Sequence, residues 1–169
     1  FTAKELITCN SRTAFSYDSA TRTTSVIDFV PTAQNQVSTY KFNEKGWLTN
    51  LIGSCCGYNM SYTYDNNGNL IQTNDANGNI YRYIYDNRGN YLTTTDPQNN
   101  IITLSYTADF NNIASVADPS GNTYTNTYDA AGNVTRITRP DGSQQARTYV
   151  NNGDLLTIKD ANNNTKRGT

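Results

Sequence analysis

The 169-residue chain is 36% hydrophobic and 16% charged, with a net charge of −1 and no histidine. Near-neutral charge without a basic run excludes the usual nucleic-acid and anionic-membrane partners, and no stretch approaches the ~20 apolar residues of a membrane span. A mean hydropathy of −0.70 suits sheet with a wet face.

Glutamate occurs only at Glu5 and Glu44, while Thr, Tyr, Asn and Gly abound, a balance that disfavours helix. Phe1 in place of an initiator methionine points to a processed or excised chain. Cys9 comes first among three cysteines and the other two, Cys55 and Cys56, are adjacent. Two readings stay open: a Cys9 bridge to Cys55 or Cys56 with one thiol left over, or small side chains packed in a sheet.

Phe15-Ser16-Tyr17-Asp18 opens the first weak copy of a motif, without a turn glycine, and residues 30–35 supply its second turn. Phe42-Asn43-Glu44-Lys45-Gly46-Trp47-Leu48 then aligns position by position with Tyr64-Asp65-Asn66-Asn67-Gly68-Asn69-Leu70. Residues 51–57, around the cysteine pair, lose the turn pattern. Residues 1–57 therefore read as degenerate copies and 58–169 as well-formed ones, within a single array over 1–169. Atypical end copies are usual where a stack finishes.

From there the period is plain. Tyr64, Tyr85, Tyr106, Tyr128 and Tyr149 head copies at intervals of 21, 21, 22 and 21 residues, the mark of a repeat architecture. Each copy holds two turn signals. The first follows the tyrosine, with Asp65 and Gly68, Asp86 and Gly89, then Asp129 and Gly132. The aspartate caps the turn and the glycine accepts positive φ. The second lies half a period on and is fullest at Asp118-Pro119-Ser120-Gly121, with Asn99 and Asn163 standing in for glycine in two copies. In the copy headed by Tyr106, Phe110 takes the glycine position and Thr107 the aspartate position. The runs between turns favour strands. Seven copies of two strands predict about fourteen strands in an all-β antiparallel meander. Alternation places the heading tyrosines on one face, with Ile71, Ile113, Ile137, Leu156 and Ile158 returning to it.

The Y-D-x-x-G-N opening followed by D-P-x-G resembles the YD or RHS repeat family, over most of the chain. That family includes bacterial RHS polymorphic toxins, the cocoon proteins of insecticidal toxin complexes, wall-associated proteins and the teneurins. The resemblance implies a secreted or cell-surface protein whose sheet winds into a hollow shell. It also implies a polypeptide cargo in the toxins, and further repeats of the same chain as neighbours. No signature of the self-cleaving aspartyl protease segment that ends many such cores is present, so what carries over is the scaffold alone.

Catalysis finds no support. No zinc spacing, phosphate-cradling loop or convergent carboxylate pair is present, and no cofactor is expected. Asp-Asn-Asn-Gly invites a calcium reading, but the alternating ligand spacing is missing and turn capping accounts for the pattern. Two non-enzymatic classes follow. One is a structural scaffold, either part of a shell or a filament of identical subunits paired edge to edge. The other is an adhesion module displaying tyrosines to a glycan or receptor.

Overall fold

The computed structural model describes residues 4–8, 11–29, 36–53 and 59–168. Cys9, Cys55 and Cys56, and the turn expected over 30–35, lie outside them. Strands run in sequence order, each hydrogen-bonded to the next in one open antiparallel sheet. They are β1 (Lys4–Thr8), β2 (Ser11–Asp18), β3 (Thr23–Phe29), β4 (Gln36–Phe42), β5 (Leu48–Gly53), β6 (Asn59–Tyr64), β7 (Leu70–Asn74) and β8 (Ile80–Tyr85). Then follow β9 (Tyr91–Thr95), β10 (Ile101–Tyr106), β11 (Ile113–Ala117), β12 (Thr123–Tyr128), β13 (Val134–Thr138), β14 (Gln144–Tyr149), β15 (Leu155–Lys159) and β16 (Thr165–Arg167). The all-β meander expected from the period is the fold observed. The seven copies supply β2 to β15, and β1 and β16 are half-copies flanking them, so about fourteen becomes 16 described strands. Residues 1–82 and 83–169 form two compact units.

The hairpins are built by the turns. Asp65 N–H donates to the Asn69 carbonyl at 2.9 Å and Gly68 N–H to the Asp65 carbonyl at 3.3 Å, with Gly68 at φ 93°. This closes a type I turn with its following residue left-handed. The second-type turns have the same geometry, and Asn99 (φ 64°) and Asn163 (φ 67°) occupy its left-handed position. In the first copy, Arg22 (φ 51°) takes the left-handed conformation where no glycine is available.

The copy headed by Tyr106 differs from the sequence reading. Its positive-φ residue is Asn111 (φ 59°), and Thr107 N–H donates to Asn112, five residues on rather than four. Phe110 is thus part of a one-residue-longer loop, and Asn111 stands in for the glycine. Asparagine tolerates that conformation, and phenylalanine does not.

A second irregularity was invisible in the sequence. Register shifts fall beside the heading residue: Thr63 pairs with Gln72 but Tyr64 with Leu70, and Thr148 with Thr157 but Tyr149 with Leu155. Ile71 and Leu156 are therefore the extra residues of β-bulges, and Leu70 and Leu155 lie opposite the tyrosines instead. An extra residue breaks strict alternation, so period-2 counting fails beyond it. Ile113 does pair with Tyr106, because the longer loop shifts that hairpin by one.

Within the second unit, one face carries Ile102, Leu104, Tyr106, Tyr124 and Tyr128, with Val116 in register between Leu104 and Tyr124 and Ile137 opposite Asn126. The other face is hydroxyl-rich, and Ser105 pairs with Ser115 at 2.6 Å and Thr148 with Thr157 at 2.6 Å. Inside each unit the strands touch only their sequence neighbours. Among the described residues no hydrophobic side chain is buried. Cross-strand pairs, at roughly 0.2–1 kcal/mol each, take the place of a core.

Candidate functional site

The positions singled out by the period fall into two recurring sets of contacts, one within and between the turns and one between strands of successive copies. The first is made by the turn aspartates. Asp86 Oδ1 accepts the Arg88 and Asn90 amide hydrogens at 2.9 and 2.8 Å, and its Oδ2 accepts the Asn90 side-chain amide at 2.8 Å. Asp65 with Asn69, Asp118 with Asn122, and Asp129 with Asn133 repeat the arrangement atom for atom. The hydrogen bond from the asparagine side chain is the foremost cause holding these carboxyls below the usual carboxylate range, followed by smaller backbone contributions and opposing desolvation. The role of the asparagine is new. Its signal was present in the sequence as an Asn four residues after nearly every turn aspartate.

Successive turns are stapled to each other. Lys45 Nζ donates to the Asn66 carbonyl at 3.0 Å, Arg88 to the Ala108 carbonyl at 2.7 Å, and the Asn112 side chain to the Gly132 carbonyl at 3.3 Å. The side-chain amides of Asn90 and Asn111 hydrogen-bond to each other. Rings cover glycines in the same set. A Cβ built on Gly68 would lie 2.9 Å from Trp47, and one on Gly132 would lie 3.4 Å from Phe110. Gly121, by contrast, faces open space at φ 84°, so its glycine answers to backbone conformation alone. Pro119 precedes it in the Asp118 turn, where it presets φ.

The second set is made by the heading tyrosines. The ladder between β11 and β12 runs from Ala117 with Thr123 to Ser115 with Thr125. Beyond that point the Tyr128 phenol donates to the Ile113 carbonyl at 2.6 Å, and the Asn126 amide reaches the same oxygen at 3.0 Å. Tyr149 donates to the Val134 carbonyl at 2.8 Å and Tyr106 to the Tyr91 carbonyl at 2.8 Å. Each acceptor lies 15 residues back, in the preceding copy. Where the backbone ladder ends, the phenol takes over. Tyr85 packs edge-on to Tyr91 at 5.6 Å, and Tyr64 packs against Trp47 at 5.4 Å.

Removing one phenol hydroxyl should loosen one junction. Tyr149→Phe keeps the ring but strands the Val134 carbonyl, and an intramolecular hydrogen bond of this kind contributes about 1 kcal/mol. Hydrogen exchange should rise at β13 and β14, the strands that this bond joins. Unchanged exchange and melting would place the stabilisation in the ring alone.

This geometry holds copies together, and its carboxylates are committed to turn caps. Among the described residues no group of three or more Cys, Asp or Glu side chains is placed to hold a metal ion. A family model described as the teneurin YD-shell matches residues 7–165. The chain belongs to the teneurin YD-shell family. Solved structures share the YD-shell fold at low identity. The crystal structure of TcdB2-TccC3 without its hypervariable C-terminal region superposes with a TM-score of 0.58 at 13% identity, over 92% of this chain and 11% of that one. The Tc holotoxin pore of Photorhabdus luminescens gives 0.58 at 14% identity, over 94% of this chain and 11% of that one. This YD-shell chain thus spans about a ninth of the length of the chains it superposes on. Among curated proteins no match is found.

Proposed function

We propose that this chain is a structural segment of a hollow YD-repeat shell, non-enzymatic and extracytoplasmic, with 1–169 a single array whose neighbours on either edge are further YD repeats. The observation that carries the reading is the absence of any buried hydrophobic side chain among the described residues. A sheet of this extent without a covering layer gains its stability along the strand-to-strand direction, and that gain grows as copies are added. Supporting it, the chains of similar fold are far longer. By analogy with them, the enclosed space would hold a polypeptide. Secretion accords with the family, and among the described residues no helix is long and apolar enough to cross a membrane.

The filament reading shares the same edge logic. β15 and β16 carry Lys159, Lys166 and Arg167 and no proline, so the last edge is only partly blunted against pairing with another strand. The adhesion reading is disfavoured, since the hydroxyls of Tyr106, Tyr128 and Tyr149 are spent on backbone carbonyls.

Size-exclusion chromatography with light scattering and hydrogen exchange at micromolar concentration tests the proposal. Association, or terminal strands that exchange freely while central ones are protected, is expected. A monomer protected evenly to both edges would overturn it.

A further inference from the structure

Three Asn-Gly pairs occur in the chain, Asn67-Gly68, Asn77-Gly78 and Asn152-Gly153. Each ends a tight turn whose glycine N–H donates to the carbonyl three residues back, at 3.3, 3.1 and 2.8 Å respectively. Such a pair carries a reaction of its own. The glycine nitrogen can attack the asparagine Cγ, because no Cβ on the glycine stands in the way. What differs between the three sites is the restraint that the fold sets against that attack.

At Asn152 the side-chain amide is held at both ends. Its Nδ2 donates to Asp154 Oδ2 at 2.6 Å, and its Oδ1 accepts the Asp154 backbone N–H at 3.2 Å. At Asn67 the turn bond is the longest of the three, but Trp47 packs over Gly68, 2.9 Å from where a Cβ would stand, and opposes any swing of that residue. Neither restraint exists at Asn77. Asn77 and Gly78 are both exposed, and nothing stands within 4 Å of a Cβ built on Gly78. Among the described residues the Asn77 side chain makes no hydrogen bond, only its backbone N–H being engaged, with Asp75 Oδ1 at 2.8 Å. An exposed turn held by its own few hydrogen bonds opens at small cost.

We propose that Asn77 is a site of spontaneous hydrolytic modification that loosens the β7–β8 hairpin, with the Gly78 nitrogen as nucleophile and water as co-reactant. The nitrogen bonds to Asn77 Cγ and gives up its proton, the Cγ–Nδ2 bond breaks, and the amide nitrogen leaves as ammonia. Water then opens the cyclic imide, and nothing is oxidised or reduced. Opening at the side-chain carbonyl gives aspartate. Opening at the backbone carbonyl gives isoaspartate, which routes the main chain through Cβ and lengthens it by one carbon. That carbon falls inside the turn that sets Thr73 against Tyr81 and Asn74 against Ile80. Either product also puts a new carboxylate beside that of Asp75, which caps the turn through Asn77 and Asn79, and like charges at that distance repel. The inference is independent of whether the repeats close into a shell.

The test is ageing of the intact folded chain at mildly alkaline pH, with peptide mapping by mass spectrometry at each of the three asparagines and the urea-unfolded chain as reference. In the folded chain Asn77 should convert about fivefold faster than Asn67 or Asn152, the factor that one hydrogen bond of restraint supplies. Unfolding should bring the three rates together. Asp154→Ala releases the Asn152 amide and should raise conversion there towards that of Asn77. Asn77→Gln should remove the modification while the melting temperature of fresh protein holds. Hydrogen exchange should rise across β7 and β8 in aged wild type and stay level in aged Asn77→Gln. Equal folded-state rates at the three positions, or earlier conversion at Asn67 or Asn152, would overturn the proposal. So would an Asn77 that stays intact while the unfolded chain reacts, or a converted chain whose β7 and β8 remain as protected as before.

Discussion

Gly68→Val is expected to lower stability by about 3 kcal/mol. Two penalties coincide there. Gly68 sits at φ 93°, and a side chain held in the left-handed region costs roughly 1–2 kcal/mol. A Cβ would also press on the Trp47 ring at 2.9 Å, and overpacking adds about 1–3 kcal/mol. Trp47 has little freedom to retreat, with Tyr64 packed against it in a tilted arrangement at 5.4 Å and the Lys45 ammonium 4.6 Å from its ring centre. Gly142, at φ 79° with nothing within 4 Å of its added Cβ, should show the backbone penalty alone. Thermal melts of the two valine variants measure the difference, and Trp47→Ala should recover the packing share of the Gly68 loss in a double-mutant cycle. Equal melting of Gly68→Val and Gly142→Val would show that Trp47 yields freely.

Acid should dismantle the turns together. Asp65, Asp75, Asp86, Asp96, Asp118, Asp129 and Asp160 are all held below the usual range, in each case foremost by the hydrogen bond from the asparagine four residues on. A folded-state value below the unfolded one, about 3.9 for aspartate, means that the unfolded chain takes up protons first as pH falls. The stabilisation is then complete above the unfolded value and is lost as pH drops through it towards the folded values. Melting temperature should hold level from neutrality to about pH 5 and fall steadily below about pH 4. Because the same device recurs in successive copies, the slope should be steep. Asp129→Asn should be less stable at pH 6 and show a shallower acid slope. Melting that is flat from pH 6 to pH 2 would remove the carboxylates from the account.

The turns were legible because their determinants are local. Asp, Asn, Gly and Pro at fixed offsets select backbone conformations within four or five residues, and the period multiplies the signal. Strand pairing was legible only to the bulge. Alternation assigns Ile71 and Leu156 to the tyrosine face, whereas the structure makes each an extra residue opposite its heading strand. That misreading reflects a relation between two strands that neither strand encodes alone. The loop after Tyr106 departs from the period for a related reason. Phe110 was aligned by counting, but the inserted residue moved the left-handed position to Asn111. The heading tyrosines are legible from the period, yet the acceptor of each phenol is not. It is a carbonyl in another copy, exposed only where the neighbouring ladder stops.

The constant offset of 15 residues between each phenol and its acceptor bears on how such a chain is inherited. Each of these phenol bonds refers only to the copy before it, so none of the three records a copy's place in the series. Excising residues 107–128 would leave Tyr106 heading the Asp129 turn, with the Tyr149 bond to Val134 intact. Genes of this kind can therefore lengthen or shorten by unequal recombination in whole copies while each protein product still finds its register. The count of copies becomes a heritable variable that selection can adjust separately from the motif itself.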